Sequence, residues 1–175
     1  MPVNYVTILT NLSHSMTSVE NMLYALAYFF GILLIISGIL RFKKHSATGG
    51  NNAFSQDYIV AATTVLMGSL LLYLPSSMSA FTTTFFGQNN ILSYSTTSQS
   101  DSQQLIQALK SILKAAGILW FIRGAVLVVH SVEPGHTHGK KGLAFMFAGV
   151  CATNLDYTVN ALNYLSTQVF TYLKV

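Results

Sequence analysis

The chain has 175 residues, of which 51% are hydrophobic and 8% charged, whereas a soluble globular domain carries about 25% charged residues. So little charge excludes an ordinary soluble domain and predicts a single all-α membrane domain over residues 1–175. The net charge of +4 is split among short turns, which argues against sequence-specific nucleic-acid binding. The one cysteine, Cys151, excludes an internal disulfide.

The first apolar segment covers residues 22–40, nineteen residues without a charge, which is about the length that crosses the hydrocarbon core of a bilayer. A basic turn follows it and contains Arg41, Lys43 and Lys44. The second apolar segment, residues 59–74, continues past Pro75 into a Ser/Thr-rich, aromatic stretch. Residues 16–86 are therefore predicted to form a helical hairpin, whose second helix projects beyond the bilayer or kinks at Pro75.

The second half repeats this order after a polar loop, residues 87–104, that has no Lys or Arg. Its apolar segments are residues 115–132 and 143–155, and the basic turn between them contains Lys140 and Lys141. The chain then continues with apolar residues at a spacing of three and four, which is typical of an amphipathic helix. Residues 102–175 are thus predicted to form a second hairpin, giving four helices as two tandem hairpins. The alternative is that the fourth segment lies in the membrane interface.

The basic residues predict the orientation of the chain. Both basic turns are expected in the cytoplasm, with both termini and the polar middle loop in the periplasm. Lys110 and Lys114 lie near the outer end of the third segment and oppose this orientation. We expect their ammonium groups to extend to the membrane interface.

The two halves resemble each other in sequence. An offset of 86 pairs Gly31 with Gly117 and Gly38 with Gly124, and an offset of 81 pairs Gly68 with Gly149. The order of amphipathic lead-in, glycine-spaced segment, basic turn and longer second helix also repeats. These features indicate a duplicated hairpin. Because each hairpin crosses the membrane twice, both copies are expected to have the same orientation.

Glycines spaced seven residues apart predict close helix contacts. Seven residues make two helical turns, so each pair lies on one face, and small residues in membrane helices let two backbones approach. The pairs are Gly31/Gly38, Gly117/Gly124 and Gly142/Gly149, and Ala144 and Ala148 form a second small-residue row. We expect tight seams, within the chain or between copies.

Arg123 interrupts an apolar segment near its middle. A charge at that depth costs about 3 kcal/mol, so it should face protein, water or a partner. Asp156 is the candidate partner within the chain. The alternatives are a lipid headgroup, a neighbouring subunit, or a shifted span in which Arg123 extends to the interface.

No nucleophile motif, carboxylate pair, phosphate loop or metal-ligand motif is visible, so we expect no enzyme activity and no metal. We expect a solvated turn, and not a metal site, at His130, His136 and His138. The one candidate ligand is a phospholipid, whose headgroup the basic turns would meet.

The "GVCATNLD" segment, residues 149–156, and the layout of glycine-spaced spans with short basic turns resemble a known group. That group is IcmC/DotE and IcmD/DotP of the Dot/Icm type IVB secretion apparatus, with the TraQ counterpart of IncI conjugative plasmids. The resemblance implies a non-enzymatic inner-membrane subunit of a machine that exports protein or DNA. Its partners would be membrane lipid, further copies and other membrane subunits.

Each hairpin also resembles a conjugative pilin, in which two apolar helices flank a short basic turn. That resemblance implies an extracellular filament built with bound phospholipid, although no pilin leader cleavage is visible. A small channel or transporter subunit, with Arg123 lining the pathway, is a further alternative. A holin is disfavoured because the C-terminal tail is not highly charged.

Overall fold

The computed structural model describes residues 5–47, 56–87, 101–133 and 139–173, and the described segments are built from α-helices. In chain order these are α1 (Tyr5–Ala47), α2 (Gln56–Leu72), α3 (Leu74–Phe86), α4 (Asp101–Ser131), α5 (Gly139–Thr153) and α6 (Leu155–Leu173). The expected all-α fold is confirmed. The expected number of four helices is wrong, because the second and fourth predicted helices are each broken in two.

The first hairpin also begins earlier than residue 16, because α1 runs for 43 residues from Tyr5. The first break is at Tyr73, two residues before Pro75, and α3 leaves α2 at an angle of 97°. The predicted kink is thus confirmed within two residues. The second break is at Asn154, where the sequence has no proline.

Both breaks have the same hydrogen bonds. At the first, the Ser77 hydroxyl donates to the carbonyl of Leu70 at 3.0 Å. At the second, the Thr158 hydroxyl donates to the carbonyl of Cys151 at 2.9 Å. Each hydroxyl thereby satisfies a carbonyl in the last turn of the preceding helix, where the regular ladder is interrupted. The positions differ by 81, the offset that relates the two halves in sequence.

Within each half the first two helices are antiparallel, and the two halves are parallel. Gly31 of α1 lies against Gly68, whereas Gly38, further along α1, lies against Ala61, earlier in α2. Between the halves, ion pairs join Glu20 to Lys114 and Arg41 to Glu133, so α1 and α4 run in the same direction. The expected common orientation of the two copies is therefore confirmed relative to each other.

Two helices of the described chain are long and apolar enough to cross a membrane: Ser15–Lys44 within α1 and Ile106–Ser131 within α4. The bent pair α2 and α3 makes a third if it counts as one span. Helix α5 has 15 residues, about 22 Å at 1.5 Å per residue, which is shorter than the roughly 30 Å core.

One apolar core joins the halves. Its fully buried side chains include Leu71 and Leu74 from the first half and Ile118, Phe121 and Val150 from the second. Because this core belongs to both halves, each half buries apolar side chains against the other. Helix α6 differs from the others, since its side chains from Leu162 to Tyr172 are exposed.

Candidate functional site

The seam of the second half is made by the predicted glycines of α4 and α5. A Cβ atom added to Gly117 would lie 2.7 Å from the carbonyl oxygen of Gly149, and one added to Gly124 would lie 2.7 Å from that of Gly142. Such distances are shorter than real contacts allow, so the two backbones touch only because these residues lack side chains. All four predicted glycines therefore form one seam, within the chain.

The seam of the first half uses Gly31 and Gly38, as predicted, together with two residues of α2 that were not predicted. A Cβ on Gly31 would lie 2.8 Å from the carbonyl oxygen of Gly68, and one on Gly38 would lie 3.2 Å from that of Ala61. Both residues of α2 could have been found from the sequence, because the 81-residue offset relates Gly68 to Gly149 and Ala61 to Gly142.

The two seams correspond contact by contact. A Cβ atom added to Gly68 would lie 2.9 Å from the backbone nitrogen of Ile35, and one added to Gly149 would lie 2.8 Å from that of Phe121. Residues 35 and 121 are related by the 86-residue offset and the two glycines by the 81-residue offset. The halves thus share a helix register as well as a sequence pattern.

The second small-residue row does not belong to this seam. Ala144 is exposed and Ala148 half-buried, whereas the seam residues Gly142 and Gly149 are buried. The row lies on the outer side of α5, beside the exposed side chains of Leu143 and Phe147.

The expected pair of Arg123 with Asp156 is wrong. The carboxylate of Asp156 lies 2.6 Å from the ammonium of Lys110, and the guanidinium of Arg123 lies over the ring of Phe145, 5.5 Å from its centroid. The antiparallel seam explains the error. Since Gly117 meets Gly149, the start of α6 is level with the early turns of α4 and lies well away from Arg123.

Lys110 and Lys114 were expected to extend freely to the interface, but both have acidic partners. The ammonium of Lys114 lies 2.8 Å from Glu20, and both side chains are almost buried. This pair joins α4 to α1. The pair of Lys110 with Asp156 joins α4 to α6 and is more exposed. The sequence contains only five acidic residues, but spacing alone did not reveal which lysine each would meet.

The ion pairs mark two levels of the bundle. Glu20 and Arg41 are 21 residues apart, and Lys114 and Glu133 are 19 apart, which corresponds to about 30 Å along the helices. Arg123 lies half-way between these levels. The predicted basic-turn residues Arg41, Lys43, Lys44, Lys140 and Lys141 are all exposed and lie at one end of the bundle.

Between the two levels the exposed surface of α1 and α4 is mainly apolar, with Arg123 as an exposed charge within it. The exposed side chains of α1 and α4 in this band include Phe29, Leu33, Ile36, Leu119 and Trp120. An apolar cavity of about 360 Å³ lies between α2, α3, α4 and α5. Phe81 and Phe85 of α3 form part of its wall, and their rings contact those of Phe121 and Phe147.

The fold and these contacts define a helical protein with two span-length helices, built from two parallel halves that share one contact pattern. Comparison with protein-family models, curated proteins and solved structures gives no match. The class is therefore defined by the geometry alone.

Proposed function

We propose that this chain is a non-enzymatic structural subunit of a bacterial inner membrane, formed by duplication of a three-helix unit, and that it belongs to a secretion or conjugation apparatus. The proposal is supported by the contacts that the polar and small residues of the chain make. Seam glycines, the nearly buried Glu20–Lys114 ion pair and the hydroxyls at the breaks all fix helices to one another, as in a rigid scaffold.

The membrane setting is supported by the band between the ion pairs. Its thickness of about 30 Å equals that of a bilayer's hydrocarbon core. The exposed lysines at the turn end support a cytoplasmic position for both basic turns, and hence a periplasmic position for both termini. Partners are then membrane lipid, further copies and other membrane subunits.

The link to type IVB secretion rests on residues 149–156, the segment that carries the family resemblance. Four of its residues make contacts that hold the second half together or join it to the first half. Gly149 and Thr153 contact Gly117, Asn154 donates to the Thr82 hydroxyl at 2.8 Å, and Asp156 pairs with Lys110. A segment with this many contacts is one that a family of structural subunits would keep.

A pilin-like subunit that polymerises with phospholipid is the second candidate. The apolar cavity between the halves favours it, since its volume of about 360 Å³ lies in the range of ligand pockets and its lining suits an acyl chain. The three-helix halves count against it, because a pilin hairpin has two helices. A channel subunit lined by Arg123 would need an oligomer that encloses the outer face of α4.

The test is deletion of the gene in its bacterium, with complementation by a tagged copy. We expect loss of transfer of the exported substrate, its rescue by the tagged chain, and recovery of that chain from inner membranes in discrete detergent-soluble complexes. Recovery in sheared extracellular filaments would support the pilin candidate and contradict the static subunit. Unchanged transfer would contradict both.

A further inference from the structure

The two halves do not face each other through a twofold axis. A twofold axis that brings Glu20 to Lys114 would also bring Tyr28 to Ile106, the residues related to them by the 86-residue offset. Tyr28 and Ile106 are instead both exposed. The halves therefore meet head to tail, through two different faces, and such a contact leaves one face of each kind unused.

The first unused face is on α4. In the first half, the face of α1 that carries Glu20 also carries Leu23 and Ala27, and it is buried in the shared core, with Leu23 only 3% exposed. The related residue of α4 is Leu109, which is 55% exposed. The second half thus exposes the face whose counterpart is buried in the first half.

The second unused face is on α1. The face of α4 that carries Lys114 also carries Ile118, Ile122 and Ala125, all of which are buried. The residues of α1 related to the last two are Ile36 and Ile39, and both are more than half exposed. The first half thus exposes the face whose counterpart is buried in the second half.

The third helices show the same imbalance. Helix α3 buries Leu74, Met78 and Thr82, and its Thr82 covers Asn154, which is 4% exposed. The related residues of α6 are Leu155, Val159 and Asn163, and the last two are exposed. The residue related to Asn154 is Tyr73, which is 65% exposed. The covering position of the α3 contact, Thr82, and the covered position, Asn154, therefore both have counterparts in the other half. These counterparts, Asn163 and Tyr73, are both exposed.

We propose that a second copy of this chain completes the interface: the second half of one copy packs on the first half of the next as the two halves pack within the chain. In this arrangement α6 of one copy covers Tyr73 of the next, and the exposed face of α4 around Leu109 packs on the exposed face of α1 around Ile36 of the next copy. Because the contact is head to tail, it continues from copy to copy and closes into a ring or extends as a filament. The proposal stands on the repeat geometry and is independent of what the apparatus exports.

The internal contact supplies the test. Thr82 and Asn154 have short side chains joined by a 2.8 Å hydrogen bond, so cysteines at such a pair are close neighbours, and the disulfide formed at this pair is the reference for the test. With Cys151→Ser as background, chains that carry Tyr73→Cys and chains that carry Asn163→Cys are co-expressed with tags of different size and oxidised in intact membranes. We expect a cross-linked dimer that contains one chain of each tag, and a ladder of multimers when both substitutions are in one chain.

Three controls make the result specific. Thr82→Cys with Asn154→Cys should form a link within one chain, and Tyr73→Cys with Gln168→Cys, on another side of α6, should give at least tenfold fewer dimers. Leu162→Asn should reduce the Tyr73–Asn163 cross-link at least fivefold. A chain that forms the internal link but no 73–163 link, and in which a lipid-phase reagent labels Leu162→Cys, would overturn the proposal, because α6 would then lie on the bilayer. Loss of substrate transfer tests the proposed function separately.

Discussion

The first half, α1 to α3, and the second, α4 to α6, share a seam register and a break chemistry, but they use the same positions differently. Ser37 in the first half donates to the carbonyl of Leu34 at 3.2 Å, and its counterpart Arg123 lies over Phe145 on the outer face. Tyr73 at the first break is exposed, and Asn154 at the second is covered by α3. The difference teaches that the two halves share their internal contacts and differ in the residues at these outer positions.

The largest expected effect comes from the ion pair that joins the halves. Glu20→Leu leaves the ammonium of Lys114 almost buried without its partner, which should lower the free energy of unfolding by about 3 kcal/mol. The double variant with Lys114→Leu should recover to within about 1 kcal/mol of the original chain. Denaturation in detergent followed by tryptophan fluorescence measures both.

Arg41→Leu is the matched control, because the Arg41–Glu133 pair is more exposed and should contribute about 1 kcal/mol or less. If Glu20→Leu and Arg41→Leu cost the same, the buried pair does not hold the halves together.

Two glycine positions of the seams, Gly149 and Gly38, should respond unequally to alanine. At Gly149 an added methyl group would meet a backbone carbonyl at 2.6 Å, whereas at Gly38 the nearest atom is the side-chain Cγ2 of Val65, which can move. Gly149→Ala should therefore cost about 2 kcal/mol through overpacking. Gly38→Ala should be close to neutral, since alanine gains about 1 kcal/mol in helix propensity. Thermal unfolding in detergent compares the two variants, and equal losses would mean that the side chain of Val65 cannot move away from position 38.

The covered break should be more sensitive than the open one. Thr82→Val removes the acceptor of the Asn154 amide, which keeps its bond to the carbonyl of Val150. We expect a loss of about 1 kcal/mol. Asn163→Ala, at the related position of α6, should leave the unfolding of the monomer unchanged, and a similar loss there would indicate that α6 is covered within the chain.

The smallest effect on folding is expected at Arg123. Arg123→Ser makes the two halves alike at this position and removes a ring contact of about 1 kcal/mol, and it also removes an insertion cost of about 3 kcal/mol. The fraction of chain inserted in membranes should stay the same or rise. A fall in insertion, measured by alkaline extraction, would mean that Arg123 supports the fold.

Several features of this fold follow from the sequence. Apolar length predicted α1 and α4, glycine spacing predicted the seams, and Pro75 predicted the first break. The second break was missed because its local signal is weak: Asn154 and the acidic first turn at Asp156 favour a new helix start, and only the offset to Tyr73 indicates where. The partners of the lysines depend on helix register. The packing of apolar helix faces sets that register, and the positions of the charges along the sequence do not reveal it.

The direct test of parallel halves in a membrane is the sidedness of the two basic turns. Lys43→Cys and Lys140→Cys chains, in the Cys151→Ser background, are exposed to a membrane-impermeant maleimide in intact cells and in inverted inner-membrane vesicles, with Tyr164→Cys for the opposite end. The account predicts that positions 43 and 140 react only in inverted vesicles and position 164 only from the periplasmic side. Reaction of 43 and 140 from opposite sides would contradict it.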